Sequence, residues 1–172
     1  PNTRAGAETA AANYLAAYGS EAMYDPDARA AIVAAIAAPA DQEQLISQLD
    51  ESFGLAGQAY GLDATGAPAD GLDFVARTVP VGVRIASYRA NRAVVDVWAV
   101  SVVGLAGENA TKPITEAWNT ATVTLRWAED DWKWDAEIQR VGPTPVSGLQ
   151  PPSSTSQLGD AMREFEELRH GR

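Results

Sequence analysis

Four runs of alternating apolar and polar residues follow one another from Arg77 to Val141, and nothing before about Tyr60 shares that period. The earlier part is rich in Ala with helical spacing, so helices come first and an unbroken antiparallel meander follows. A chain in that order folds as an α+β domain, with N-terminal helices packed on one face of a curved, cone-like four-stranded sheet. The runs fall at about 76–90, 93–104, 114–128 and 131–140. Tight turns are expected at Ala90-Asn91-Arg92 and at Glu129-Asp130-Asp131, while Gly104 to Pro113 makes a longer connection.

Period two assigns the faces of each strand. In the second run Val95, Val97, Ala99 and Val103 share one side, and Val94, Asp96, Trp98, Val100 and Val102 share the other. Being apolar on both sides, it is expected at the centre of the sheet. In the third run Ala121, Val123, Leu125 and Trp127 oppose Thr120, Thr122, Thr124 and Arg126. The fourth sets Trp132, Trp134, Ala136 and Ile138 against Lys133, Asp135, Glu137 and Gln139.

Ahead of the sheet, Thr9 to Tyr18 has helical spacing until Gly19-Ser20 interrupts it, although the helix could run on through Met23. Asp25-Pro26-Asp27 starts a second helix, with Asp25 as cap and Pro26 at the first helical position. A third is expected from Asp41, carrying the stripe Leu45, Ile46, Leu49 and Phe53 and weakened by Gly54, Gly57 and Gly61. Residues 61–73 read as loop.

After Val141 the pattern changes. Residues 1–142 make the helix-and-sheet body, and 143–157 read as a Pro/Ser-rich linker that cannot join the sheet. Residues 158–172 carry a C-terminal amphipathic helix, its start reaching back to about Ser156 and its end to Arg169. Leu158, Met162, Phe165 and Leu168 form its apolar stripe. A helix this short is marginal alone in water, so the stripe is an interaction surface that docks on its own domain or on a neighbouring copy.

Composition excludes several functions. At 172 residues the chain has the size of one domain. A net charge of −10 and a pI near 4.5 argue against nucleic-acid binding, which needs clustered Lys and Arg. Two lysines against eleven arginines, with abundant Ala, fit a GC-rich bacterial genome. No cysteine is present, and the single histidine, His170, lies three residues from the end. A Ser-His-Asp triad or a His-based metal centre would have to be built on that terminal residue, which argues against both, and no cofactor fingerprint occurs. No apolar run reaches the roughly 18 residues of a membrane span. The first residue is Pro1, so any membrane anchor is expected upstream of it.

Three groups invite a functional reading. Trp127, Trp132 and Trp134 could form an aromatic platform but read better as core residues of the closing hairpin. Glu129, Asp130 and Asp131 lack the alternating ligand spacing of a calcium loop and read as a solvated turn. Asp96, set among Val94, Trp98 and Val100, could be a general base in the cone, its carboxyl raised by burial, with Tyr14 or Tyr18 as hydrogen-bond donors. The plentiful arginines of these strands favour a structural role instead, paired with Arg84, Arg89 or Arg126.

The order of helices and meander, closing with Leu125-Arg126-Trp127-Ala128-Glu129-Asp130-Asp131-Trp132-Lys133-Trp134, resembles the nuclear transport factor two-like (cystatin-like) superfamily over about residues 8–141. Its last hairpin commonly reads as apolar strand, polar turn, then Trp-Lys-aromatic. The acidic body and the appended linker and helix resemble most the extracytoplasmic domains of conjugation proteins: the TcpC-type proteins and the VirB-eight-type subunits of type IV secretion systems. That resemblance implies a non-enzymatic, oligomerising scaffold at the outer face of the cell membrane. It would be held by an N-terminal helix, and its partners would be other secretion-machine subunits. The superfamily also contains isomerases and dehydratases, so the alternative is a small-molecule enzyme with its base in the cone.

Overall fold

The computed structural model describes residues 1–145 and 151–167. Helix α1 (Arg4–Tyr18) starts earlier than its spacing suggested because Thr3 caps it, its Oγ1 accepting from the Gly6 N–H at 3.0 Å. It stops at Gly19 and gives way to a 3₁₀ turn at Glu21–Tyr24, so the continuation through Met23 is not helical in the α sense. Helix α2 (Pro26–Ile36) begins as expected, with Asp25 accepting from the N–H groups of Asp27 and Ala28. Helix α3 (Pro39–Tyr60) opens on Pro39 and runs through Gly54 and Gly57. Only Gly61 ends it, at φ 74°, a left-handed conformation that glycine adopts without cost.

Four long strands follow: β1 (Asp73–Arg89), β2 (Arg92–Ala106), β3 (Thr115–Ala128) and β4 (Asp131–Val141). After the linker come α4 (Thr155–Glu164) and a two-residue strand, β5 (Glu166–Glu167). The sheet is antiparallel in the order β4-β3-β2-β1-β5, which puts β2 at its centre. Register shifts at Pro80/Gly82 and Ile85/Ser87 in β1, and at Thr124/Leu125 opposite Asp135, bend it. The β3–β4 turn places Glu129 and Asp130 at φ 53° and 60°, both exposed, as a two-residue hairpin requires.

One face of the sheet carries the core. Ala7, Ala11, Ala12 and Leu15 of α1 lie on Val95, Val97, Ala99, Ala121, Val123 and Leu125. Small side chains on the helix let it sit close to the strands. Trp132 and Trp134 are 1% and 6% exposed in this core, and Trp127 meets Trp132 edge-on at 5.2 Å. The tryptophans are therefore packing residues and present no platform. A second cluster joins Met23, Val33, Ala37 and Leu49, and buried Arg29 ties it together. Its guanidinium donates to Asp50 at 2.8 Å and to the Met23 carbonyl at 2.6 Å.

One assignment of faces fails, for an identifiable reason. Trp134 pairs with Leu125 and Ala136 pairs with Thr124, so Asp135 is the extra residue of a bulge. Beyond it the alternation inverts. Ala136 and Ile138 turn outward, Ile138 73% exposed, while Glu137 and Gln139 turn to the helix side opposite Val123 and Ala121. The described part of the C-terminal segment differs too. The helix ends at Glu164 instead of near Arg169, and Glu166–Glu167 pair with Gly82 and Val83 of β1.

The bulge is open to a stability test. Leu125→Ala should cost about 2–5 kcal/mol in urea unfolding, as a buried leucine truncation does. Ile138→Ala should change stability by less than about 0.5 kcal/mol, as an exposed site does. Equal losses at the two positions would show that no inversion follows Asp135.

Candidate functional site

The outer face of β2, away from the N-terminal helices, carries a cluster of charged and polar side chains. Asp96 lies there, 4% exposed, opposite Arg84 of β1 and Thr122 of β3. Its carboxylate accepts from Arg84 at 2.6 Å, from the Thr122 hydroxyl at 2.6 Å and from Arg140 of β4 at 3.4 Å. Arg140 also donates to Thr122 at 2.9 Å, and Arg84 reaches on to Glu164 of α4 at 2.5 Å. Burial alone would raise the Asp96 carboxyl. The hydrogen bonds from Arg84 and Thr122, with the charges of Arg140 and Arg84, outweigh it and hold the group below its ordinary value.

Tyr14 and Tyr18 are not beside it. Both lie on the helix side of the sheet, against the core. Tyr14 donates to the Trp132 carbonyl at 2.6 Å and reaches Asp131 at 3.4 Å, and burial together with Asp131 pushes its hydroxyl up to about 12. Tyr18 stacks on Trp134 with ring centres 5.4 Å apart. The proposed base and its proposed donors thus stand on opposite faces. Asp96 is ionised and engaged by Arg84 and Arg140, an arrangement that matches its structural reading as a partner of Arg84 and not its reading as a base.

The interaction stripe is also redrawn. The chain leaves β4 through Gly142, where a Cβ would come within 2.7 Å of the Asn119 backbone, and crosses the outer face. Trp98 donates its indole N–H to the Pro143 carbonyl at 2.9 Å, and Thr144 is 1% exposed. The Thr144 N–H donates to Ser153 Oγ at 2.9 Å, and the Ser153 N–H returns to the Thr144 carbonyl at 2.8 Å. Part of the supposed linker is therefore a strap bonded to the sheet. A capping box at Ser154 and Gln157 then starts α4.

Along α4 the buried residue is Ala161, flanked by half-buried Leu158 and Phe165, whereas Met162 is 76% exposed. Phe165, just past the end of the helix, makes the aromatic contact with the sheet, and Ala161 lies on the side of α4 that faces the strap and the strands. Phe165 reaches Trp98 with ring centres 6.1 Å apart and lies under the Arg84 guanidinium at 5.3 Å. Leu168 lies outside the described residues. Between α4 and the sheet a cleft of about 420 Å³ is lined by Arg84, Thr120, Arg140, Gln157, Asp160 and Phe165, among others.

The alternating pattern missed Glu137, which the bulge turns inward. Burial pushes its carboxyl up, against a hydrogen bond with Gln139, and its Oε1 has no partner among the described residues. Its charge adds to burial in raising the Tyr18 hydroxyl. No sequence signal separates it from the exposed acids of β4, because a one-residue bulge leaves no mark on composition. Among the described residues, no group of three or more His, Cys, Asp or Glu side chains is placed to hold a metal. No helix among them is long and apolar enough to cross a membrane.

Fold and cluster together define a helix-on-sheet domain whose polar side chains bind one another. The family follows from comparison: a model described as a domain of unknown function, DUF8175, matches residues 2–155, and the chain belongs to that family. No curated protein and no solved structure matches it.

Two titrations follow. Asp96 is held below its unfolded value, so it contributes stability that is present above about pH 4 and lost as pH falls through its folded pKa. Asp96→Asn should lower the melting temperature at pH 7, and the deficit should shrink on acidification below about pH 4. A constant deficit would show that the ion pairs contribute nothing. Glu137 behaves oppositely, because its raised carboxyl is a cost to the fold wherever it is ionised. Glu137→Gln should raise the melting temperature at pH 7, and the gain should vanish near pH 4, where the carboxyl is protonated in both states. A destabilised variant at pH 7 would refute the buried-carboxyl account.

Proposed function

We propose that this domain is a non-enzymatic assembly module that works through protein–protein contacts in a bacterial conjugation or type IV secretion machine. On this reading it stands at the outer face of the cell membrane, tethered by a segment preceding Pro1, among other subunits and further copies of itself. The resemblance of the closing hairpin and the appended helix supports the setting. The observation that carries the reading is the outer sheet face. Besides the residues that α4 and the strap meet, it presents Val79, 51% exposed, half-buried Val100 and Val102, and Ile138. Val79, Val100 and Val102 are neighbours across β1 and β2, and exposed apolar side chains on a sheet surface mark a contact surface, while Ile138 adds a second point beyond Asp96 and Thr122. The ionised, paired Asp96 supports the same reading by removing a base.

Catalysis in the cone remains the second reading, and one observation favours it: Glu137 has a free carboxyl oxygen beside Tyr18. The two readings part on one variant. Glu137→Gln abolishes turnover in an enzyme that uses this carboxyl, and leaves the association of an assembly module unchanged.

Sedimentation from micromolar to millimolar protein should show concentration-dependent association. Val79→Asp and Ile138→Asp together should weaken it at least tenfold without lowering the melting temperature, since each places a charge at a surface that otherwise becomes buried. A strict monomer up to millimolar concentration would overturn self-assembly.

A further inference from the structure

The C-terminal arm covers the edge of β1 in an incomplete way. Among the described residues, β5 pairs with Gly82 and Val83 alone, on a strand that runs from Asp73 to Arg89. At Gly82 the missing side chain makes a notch: a Cβ there would lie 2.9 Å from the Cβ of Phe165. Phe165 enters this notch between Trp98 and the Arg84 guanidinium, and Glu164 pairs with Arg84 on its exposed side. Aromatic ring, cation and carboxylate thus read three features of one short segment in an otherwise acidic protein.

We propose that this notch is a docking site for an extended partner segment of the pattern acidic–Phe–nonacidic, which adds a strand to β1, and that the chain's own Glu164-Phe165-Glu166 is a displaceable placeholder. The inference rests on the protein-contact reading above and names its surface and the chemistry of its partner.

Two features make the resident segment a poor occupant. It is helical up to Glu164, so it cannot extend along β1 past Val83 towards Arg84 and Ile85. An extended partner continues in antiparallel register past Val83 towards Arg84 and Ile85 and gains further ladder bonds. The position after Phe165 is also unfavourable. Glu166 lies near Glu8 of α1, whose carboxyl is raised by burial and then by the Glu166 charge. A neutral or basic residue there removes the repulsion, so the site selects against the segment that fills it. Pro80 has no N–H to donate, which limits growth of the added strand in the other direction.

The test uses the full chain carrying Phe165→Ala, which empties the notch, and three synthetic peptides spanning Met162 to Glu167: unmodified, Glu166→Lys and Phe165→Ala. Calorimetric titration should show saturable binding of the first and about tenfold or tighter binding of the second, weakening as salt rises. The third should not bind. Arg84→Gln in the protein should weaken the Glu166→Lys peptide at least tenfold, the scale of a lost charged hydrogen bond. Absence of saturation at millimolar peptide, or equal binding of the Phe165→Ala peptide, overturns the site.

If Phe165→Ala does not fold, hydrogen exchange on the wild-type chain reads the same event. Excess Glu166→Lys peptide should extend amide protection from residues 82–83 to residues 84–85, and unchanged exchange overturns the proposal. Wild-type chain that binds the Phe165→Ala chain through its own arm would make a second copy the occupant, against the partner named here. Wild-type protein that associates in sedimentation while no peptide binds would sink this inference and leave the assembly reading standing.

Discussion

A central strand that is apolar on both sides has to be covered on both sides, and β2 sets this condition for the whole molecule. Val95, Val97 and Ala99 are covered by α1, whose alanines allow close approach. The opposite side, with Val94, Trp98 and Val100, faces a region with no N-terminal helix to shield it. At Trp98 the chain meets the requirement with its own end, while Val100 stays half-buried outside that cover. Pro143 takes the Trp98 indole hydrogen bond, Thr144 is buried beneath the strap, and α4 brings Ala161 and Phe165 down beside it. An open sheet with one wet face needs no such cover. The C-terminal segment is thus part of the fold because β2 is not amphipathic.

Asp96 sits within that second covered face, where an unpaired carboxylate would be costly. Its partners come from every other long strand: Arg84 from β1, Thr122 from β3 and Arg140 from β4. The cluster fastens the strands together across the sheet, and through Arg84 and Glu164 it also holds α4. Since Arg84 is partly exposed, the link to α4 is the weaker half, screened by solvent and salt. The same guanidinium serves a buried structural partner on one side and a replaceable one on the other.

The helix starts at Asp25, the four strands, the central place of β2 and the tryptophan core were all legible in the sequence, because each rests on local chemistry or on an unbroken period. The failures share a cause. Asp135 inserts one residue into β4, and a period-two reading carried through it sends Ile138 inward and Glu137 outward, the reverse of what the chain does. On α4, helical spacing alone puts Met162 on the apolar stripe, whereas the helix turns Ala161 inward and leaves Met162 in solvent. The prolines of the strap suggested a linker because they cannot join a ladder. Nothing local showed that the Pro143 carbonyl would meet an indole from a strand many residues earlier. Asp96 was read as a choice between base and ion pair, and only the register across three strands decides it.

Glu137 completes the comparison of the two sheet edges. β4 is an edge strand, and on its open side it has a single bridge, between Trp134 and Ala37. A bulge at Asp135 followed by an inward carboxylate makes such an edge unfit to accept another strand, since the bulge breaks the register and the charge would be buried further. The carboxylate is a cost to the fold, but it guards an edge that would otherwise pair without selectivity. β1 has breaks of its own, Pro80 and the register shifts at Pro80/Gly82 and Ile85/Ser87, but Gly82 to Ile85 run between them without interruption, and there Glu166 and Glu167 cover the edge. One edge is closed by a destabilising charge and the other by a removable strand. Strand addition is therefore directed to β1, beside the arginine and tryptophan that can tell one segment from another.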